Sequence, residues 1–151
     1  MSMVRETVSV KADRATVFDA YVNEMSAWWP WKGRFTYSFA PEGTSPESII
    51  LEGRLGGRFF ERFADGTEHQ IGTVTSWRPP DEVAYTWEVE GWRNPSTITV
   101  RFVDDGDATT VVVEHTRLPD AESERGYSEG HREILAKFAV YASARFPANR
   151  D

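Results

Sequence analysis

Hydrophobic and polar residues alternate at the start of the chain, over residues 4–11, where three valines share one side and charged or hydroxyl side chains share the other. A period of two predicts a half-buried β-strand. Asp13 then stands in an N-cap position, and apolar residues recur on one helical face at Val17, Phe18, Tyr21, Val22 and Met25. This spacing predicts a helix of about three turns that ends before Pro30.

Six further β-rich runs follow a loop at residues 40–48. Their sequences are ESIILEG, GRFFERF, EHQIGTVTSW, EVAYTWEVE, STITVRFV and ATTVVVEHTRL. The separators are short and rich in turn-forming residues, as in LGG, ADG, RPPD, GWRNP and DDGD. Connections of this length predict antiparallel neighbours, because a parallel pair needs a long crossover.

A closing helix is predicted from about Ser123 to Arg145, with an apolar stripe formed by Ile134, Leu135, Phe138, Ala139, Tyr141 and Ala142. The order of elements is strand, helix, six strands and a long helix. It predicts an α+β fold with one seven-stranded antiparallel sheet and helices on its buried face. No repeat or linker divides the chain, so residues 1–151 are expected to form a single domain.

Composition and charge narrow the function classes. The absence of cysteine excludes a disulfide framework, a thiolate nucleophile and a Cys-ligated metal site. With 17 Lys and Arg against 24 Asp and Glu, the formal net charge is −7, which argues against nucleic-acid binding. The charged N-terminus has no apolar run, so we expect no signal peptide, no membrane span and a cytoplasmic location. The 13% aromatic content predicts either a filled core or a cavity lined by rings.

A set of ordered motifs resembles the START-like superfamily, also called SRPBCC or helix-grip proteins. The motifs are Ala15-Thr16-Val17-Phe18, Trp28-Trp29, Gly56-Gly57-Arg58-Phe59, GTVTSWRPPDEVAYTW from Gly72 to Trp87, Pro95-Ser96-Thr97-Ile98-Thr99-Val100, and Val113-Glu114-His115. The chain is most similar to bacterial relatives of the C-terminal domain of the activator of the ninety-kilodalton heat-shock-protein ATPase. This resemblance implies a curved sheet wrapped around the long C-terminal helix. It does not imply one function, since helix-grip proteins include lipid carriers, hormone receptors and cyclases.

Side chains from several strands are expected to converge on the closing helix. They either fill a core or leave a ligand pocket, which the resemblance favours because this fold often leaves space there. The expected ligand-binding residues are Phe59, Phe63, Tyr85, Trp87, Val100, Phe102, Val113, His131, Leu135 and Phe138. We expect a cavity bounded by Trp87, Phe102, Val113 and Phe138, and a volume of roughly 300 Å³ or more would put it in the range of small-molecule sites.

Three titratable residues fall on predicted inward faces. Glu61 is in phase with the phenylalanines of its strand, and His115 is in phase with the valines of its strand. His131 begins the stripe of the closing helix, following Gly130, where similar proteins usually carry Trp. Because burial of an unpaired charge is costly, these groups should pair with one another or contact a polar part of a ligand. The alternatives are that a β-bulge leaves Glu61 exposed, and that the histidines are hydrogen-bonded core or rim residues.

Other site chemistries lack support in the sequence. The three histidines, His69, His115 and His131, do not have metal-ligand spacing, so no metal site is predicted. Ser128 with His131 lacks a nucleophile elbow, and RLGGRF lacks the phosphate-loop pattern and a following helix. We therefore expect no metal, nucleotide or other cofactor.

Three tryptophans, Trp28, Trp29 and Trp31, follow the first helix. They either plug one end of the core, cover the cavity as a lid, or mark a partner surface. Trp31 lies between Pro30 and Lys32, so we expect it to be the most exposed of the three.

The leading hypothesis is a non-catalytic protein that binds a small hydrophobic or aromatic molecule between sheet and closing helix. The alternative is a cyclase- or lyase-type enzyme in which Glu61 and His115 or His131 act as general acid and base on a polyketide-like or carbonyl substrate. The family resemblance alone suggests a chaperone partner, but that role in the eukaryotic namesake depends on a further N-terminal domain, which we expect this chain to lack. The sequence leaves a homodimer open.

Overall fold

The computed structural model describes residues 3–32 and 38–146, and within them the chain forms seven strands and three helices. The strands are β1 (Met3–Val10), β2 (Pro46–Leu51), β3 (Arg58–Phe63), β4 (Glu68–Arg78), β5 (Glu82–Trp87), β6 (Ser96–Asp105) and β7 (Ala108–Thr116). The helices are α1 (Arg14–Asn23), α2 (Met25–Trp28) and α3 (Ala121–Arg145). None of the described helices is both long enough and apolar enough to span a membrane.

The strands form one antiparallel sheet in the order β1-β7-β6-β5-β4-β3-β2. All neighbours except β1 and β7 are consecutive in the sequence, so short turns build most of the sheet. The first strand lies beside the last. This arrangement, with the 25-residue α3 packed against the sheet, confirms the predicted α+β helix-grip fold.

Three register shifts curl the half of the sheet that contains β2 to β5. They lie at Glu47 in β2, between Phe59 and Phe60 of β3 relative to β4, and at Thr75 in β4. Each β-bulge adds a residue to one strand, which bends that strand and increases its twist. The curled half faces the N-terminal part of α3 and leaves the concave surface on which the candidate site is built.

Aspartate caps begin the two longer helices. The side chain of Asp13 accepts a hydrogen bond from the backbone N–H of Thr16 at 2.7 Å, as the sequence predicts. Asp120 accepts in the same way from Ser123 at 2.7 Å. Because Asp120 is the N-cap, α3 begins at Ala121, slightly earlier than the predicted start at Ser123.

Two further differences in extent concern the first helix and β5. The first helix is divided, since α1 ends at Asn23 and the short α2 carries the chain to Trp28. The strand predicted over EVAYTWEVE ends at Trp87, so its continuation to Glu90 is wrong. A turn takes over there, with the N–H of Trp92 donating to the carbonyl of Val89 at 3.0 Å.

The first two helices fill the space between the sheet and the C-terminal half of α3. Phe18 packs on Phe102 of β6 with ring centroids 5.0 Å apart. Tyr21 and Trp28 both pack on Phe138 of α3, with centroid distances of 5.4 and 4.9 Å. This half of the interface is a filled aromatic core.

Candidate ligand-binding site

A cavity of about 400 Å³ lies between the concave face of the sheet and the N-terminal half of α3. This volume falls within the range of small-molecule sites. The described lining residues are Tyr21, Trp29, Phe39, Phe59, Tyr85, Trp87, Ile98, Ser123, Gly126, Tyr127, Gly130, His131 and Ile134. The walls therefore come from α1, the segments that flank residues 33–37, strands β3, β5 and β6, and α3.

Small residues on α3 explain why space remains on this side. Ser123, Gly126 and Gly130 are three and four positions apart, so they share one helix face. A Cβ added at Gly126 would meet no atom within 4 Å. Farther along the helix, Leu135 and Phe138 are fully buried in the core. The cavity thus lies where α3 contributes little side-chain volume.

Aromatic rings form most of the wall opposite α3. Phe59 contacts Tyr85 and Trp87 with ring centroids 4.9 and 6.1 Å away. Phe39 contacts Trp87 at 5.8 Å, and Trp29 contacts Phe59 at 6.4 Å. Tilted and edge-on rings of this kind offer both faces and edges to another aromatic system. The wall is suited to a flat, largely apolar molecule.

Trp87 also links the sheet to α3 through a hydrogen bond of its indole nitrogen. Its Nε1–H donates to the hydroxyl oxygen of Tyr127 at 2.8 Å. The ring of Tyr127 packs against Trp87 and His115, with centroid distances of 6.0 and 5.0 Å. The indole N–H is therefore satisfied within the protein, and Trp87 offers an occupant its ring surface.

A directional chain of hydrogen bonds runs behind this wall from α3 into the sheet. Nε2 of His131 lies 2.8 Å from Nδ1 of His115, and Nε2 of His115 lies 2.7 Å from Oγ of Ser96. The Ser96 hydroxyl donates to the backbone carbonyl of Trp87 at 2.8 Å. A carbonyl only accepts, so Ser96 must accept from His115, and Nδ1 of His115 must accept from His131. Both neutral imidazoles therefore carry their proton on Nε2.

Burial keeps the two histidines neutral. His115 is fully buried and His131 is 6% exposed. Desolvation, with a smaller contribution from His131, lowers the pKa of His115 to about 3. Desolvation also lowers the pKa of His131 to about 4, an effect that the carboxylate of Glu6 on β1 partly opposes. Neutral rings are what the directional chain requires.

A pair of buried phenols forms a second polar feature of the cavity. The hydroxyl oxygens of Tyr21 and Tyr85 are 2.9 Å apart, and either can be the donor. Burial raises the pKa of Tyr21 to about 12, and burial together with Tyr21 raises the pKa of Tyr85 well above its usual value. Both hydroxyls therefore stay protonated at neutral pH.

No described lining residue carries a formal charge at neutral pH. The polar side-chain groups of the described lining residues are hydroxyls, the indole N–H groups of Trp29 and Trp87, and one neutral imidazole. A buried charge without a partner is unfavourable, so this lining suits an uncharged occupant.

The structure places four of the expected ligand-binding residues on the cavity wall: Phe59, Tyr85, Trp87 and His131. Six others are buried but line no part of the cavity: Phe63, Val100, Phe102, Val113, Leu135 and Phe138. Of the four residues expected to bound the cavity, only Trp87 does so, and the expectation for Phe102, Val113 and Phe138 is wrong. The physical reason is that α1 inserts Phe18 and Tyr21 between the sheet and the C-terminal half of α3.

Glu61 has the predicted inward phase but a different role from the one expected. It is 2% exposed, so the alternative of an exposed side chain is wrong. Its carboxylate accepts from the backbone N–H of Phe39 at 2.8 Å and from the hydroxyl of Ser38. Glu61 therefore does not line the cavity, and it fixes the segment that brings Phe39 to the wall.

The candidate acid–base residues are not assembled as a set. The two histidines pair with each other, which is one of the outcomes their inward positions predict. His115 lies behind His131 and does not line the cavity, and Glu61 is bonded to Ser38 and Phe39. Of the three, His131 alone meets the cavity among the described residues.

Sequence reasoning missed several wall residues. Tyr21 was assigned to the core face of its helix, Phe39 lies beside a loop without periodicity, and Tyr127 precedes the apolar stripe of α3. One available signal was the pair Gly126 and Gly130 within a predicted helix. Glycine in a helix interior costs about 1 kcal/mol relative to alanine, so two of them on one face indicate a packing or functional requirement.

The tryptophan cluster divides between core and cavity. Trp28 is fully buried, which agrees with the plug among the three alternatives, whereas Trp29 lines the cavity. Trp31 is half-buried and the most exposed of the three, as expected. Its Nε1–H donates to the carbonyl of Ser26 at 3.3 Å.

Metal ligands do not cluster in the described part of the chain. Among residues 3–32 and 38–146, no group of three or more histidine or carboxylate side chains is placed to hold a metal ion. His69 stacks on Phe39 with ring centroids 4.5 Å apart.

The sheet, the gripped helix and the cavity between them define a helix-grip protein. The chain belongs to the family described as Activator of Hsp90 ATPase homolog 1-like protein, whose model matches residues 11–143. No curated protein matches the chain significantly.

Solved structures agree with this fold. Protein MLL2253 from Mesorhizobium loti is 14% identical with a TM-score of 0.70, covering 97% of this chain and 100% of its own. The Aha1 dimer from Colwellia psychrerythraea is 14% identical with a TM-score of 0.68, covering 92% of this chain and 94% of its own. The anthrahydroquino-γ-pyrone synthase Txn09, solved as a complex, is 26% identical with a TM-score of 0.59, covering 93% of this chain and 96% of its own.

Proposed function

We propose that this protein binds a small, flat, uncharged aromatic molecule in the cavity between the sheet and α3. The observation that carries the proposal is the cavity of about 400 Å³, whose described walls are mainly aromatic and carry no charge. Rings such as Phe59 and Trp87 offer stacking and edge contacts, and burial of apolar surface supplies the driving force.

The protonation state of the site favours binding over catalysis. A general base is most effective when its pKa is near the working pH. Burial lowers the pKa of His131 to about 4, so its imidazole is neutral but weakly basic. Glu61, the other acid–base candidate, is occupied by Ser38 and Phe39.

The second candidate function is an enzyme that acts on an aromatic carbonyl compound. The likeness to the pyrone synthase Txn09, at 26% identity, supports it. Nδ1 of His131 has no hydrogen-bond partner among the described residues, and His131 lines the cavity. In this scheme Nδ1 would accept a proton from carbon next to the ligand carbonyl, while His115 and Ser96 would hold the ring in place.

Binding is tested by titrating the labelled protein with 2-acetylnaphthalene and recording a two-dimensional NMR spectrum at each step. We expect a dissociation constant on the order of 10–100 µM and shift changes at Trp87, Gly126 and Gly130. Ile134→Trp places a bulky ring in the cavity and should weaken binding about tenfold or more. The matched control on the same helix is Val140→Trp, at a position that is 71% exposed, which should bind as the wild type does. Absence of binding, or shift changes confined to other surfaces, would refute the proposal.

Catalysis is tested with 2-tetralone in D₂O, whose C1 protons exchange slowly through the enol. Exchange needs a base to take the C1 proton and solvent deuterium to replace it. If the protein only binds, exchange proceeds at the buffer rate, and His131→Phe changes nothing. Acceleration that disappears in His131→Phe would favour the enzyme instead.

A further inference from the structure

The Tyr21–Tyr85 pair holds one more proton than its own hydrogen bond uses. Two hydroxyls carry two protons, and only one of these protons lies in the hydrogen bond between the oxygens, which are 2.9 Å apart. No other described group accepts from either hydroxyl. Both side chains are 3% exposed and line the cavity. A buried donor without an acceptor is unfavourable, so the pair is incomplete until an occupant supplies one.

The surrounding rings hold these hydroxyls in place. Tyr21 packs against Trp28, Phe102 and Phe138, with centroid distances of 5.0, 5.7 and 5.4 Å. Tyr85 packs edge-on against Phe59 at 4.9 Å. A donor that is already fixed loses little conformational freedom when it binds a partner, which makes its hydrogen bond more effective.

We propose that the Tyr21–Tyr85 pair recognises a carbonyl oxygen of the ligand, so that the ligand class is an uncharged aromatic carbonyl compound. This inference rests on the proposed function, because it requires an occupant in the cavity. A carbonyl accepts one hydrogen bond without bringing a proton of its own, which matches the single spare proton. A carboxylate would also accept, but none of the described lining residues offers a cation to balance its charge.

The pair predicts an unusual mutational pattern. If Tyr21 alone becomes Phe, the hydroxyl of Tyr85 loses its partner but still has one proton to donate. The reverse holds for Tyr85→Phe. Only the double variant Tyr21→Phe/Tyr85→Phe removes both donors of the pair, and it does so with almost no change in cavity shape.

The test compares two probes of nearly equal shape, 2-acetylnaphthalene and 2-isopropenylnaphthalene, in which C=CH₂ replaces C=O. The measured quantity is the ratio of their dissociation constants, from NMR titrations that also locate each probe. In the double variant the preference for the ketone should fall about fivefold, the ratio that one ordinary hydrogen bond supplies. Each single variant should keep the wild-type ratio within about twofold. The control Ser123→Ala, which removes a different cavity hydroxyl, should leave the ratio unchanged.

The outcomes separate this inference from the proposed function. If both probes bind in the cavity but the double variant keeps the wild-type ratio, the inference is wrong and the proposed function stands. If Ser123→Ala lowers the ratio, the carbonyl meets the helix instead, which also overturns the inference. If neither probe binds in the cavity, the proposed function fails, and the inference fails with it. A measurement without variants is the ¹³C shift of the labelled carbonyl in the complex, which should lie downfield of its value in an aprotic solvent and would equal that value if no hydroxyl donates.

Discussion

Nε2 of His131 on α3 lies 2.8 Å from Nδ1 of His115 on β7, so two buried imidazoles join the gripped helix to the sheet. His115 continues the contact to Ser96, whose hydroxyl reaches the carbonyl of Trp87 at the cavity wall. The helix and the ligand wall are therefore connected by bonds with a defined direction. A tryptophan at position 131 could donate to His115 but could not offer a second nitrogen.

The direction of this chain predicts the tautomers of both rings. His115 and His131 should each be neutral and carry their proton on Nε2 at pH 7. Long-range ¹H–¹⁵N correlation spectra of the imidazoles measure this directly. A proton on Nδ1 of either ring would show that the chain runs the other way.

Acid should weaken the fold through the same pair. The pKa of His131 falls to about 4 in the folded state, below the value of about 6.5 expected in the unfolded chain. A depressed folded-state pKa gives stability that is present above pH 6.5 and is lost as the pH falls toward 4. At about 1.4 kcal/mol per pKa unit, the free energy of unfolding should drop by about 3 kcal/mol more in the wild type than in His131→Leu between pH 7 and 4.

Denaturant titrations at several pH values check this difference. Carboxylates contribute to acid unfolding in both proteins, so the comparison between them is the informative quantity. If the free energy of unfolding fell equally with pH in the wild type and in His131→Leu, the result would contradict the account.

The two phenols should show strong non-additivity in stability. Tyr21→Phe or Tyr85→Phe leaves a buried hydroxyl without its partner, at an expected cost of about 1–2 kcal/mol. The double variant removes both polar groups and should be close to the wild type in its free energy of unfolding. The coupling energy from the complete cycle should therefore exceed about 1 kcal/mol. Additive costs would mean that the hydroxyls do not bond to each other.

Two glycine-to-alanine substitutions should have opposite effects. A Cβ on Gly72 would lie 1.8 Å from the carbonyl oxygen of Thr86, so Gly72→Ala should destabilise the protein by about 2 kcal/mol or more. A Cβ on Gly126 meets no atom within 4 Å, so Gly126→Ala should stabilise α3 by about 1 kcal/mol. Both effects are measured as changes in the melting temperature of each variant relative to the wild type. Similar shifts in the same direction would contradict the backbone geometry.

The fold was predictable because its signals are local. Turn residues separate the strands, and β6 buries Ile98, Val100 and Phe102 in strict alternation. One side of the sheet is covered and the other is not, so the alternation shows which side chains of a strand face the covered side. The end of β5 was not predictable from alternation, since Val89 continues the apolar phase while the chain already turns toward Gly91.

The position of the cavity was not predictable in the same way, because it depends on how helices share the concave face. The sequence correctly places Phe102 and Phe138 inward, but it does not show that Phe18 and Tyr21 occupy the space between them. The contact between Glu61 and the backbone of Phe39 was not predictable either, because Phe39 lies in a segment without periodicity. Contacts between distant elements decide both questions, and a one-dimensional pattern does not record them.

The most direct test of the central claim is a crystal structure of the protein with 2-acetylnaphthalene. We predict that the naphthalene rings lie between Trp87 and the glycine face of α3, with the ketone oxygen within hydrogen-bond distance of the Tyr21 or Tyr85 hydroxyl. The probe seated on another surface, with the cavity closed by its own side chains, would contradict the account.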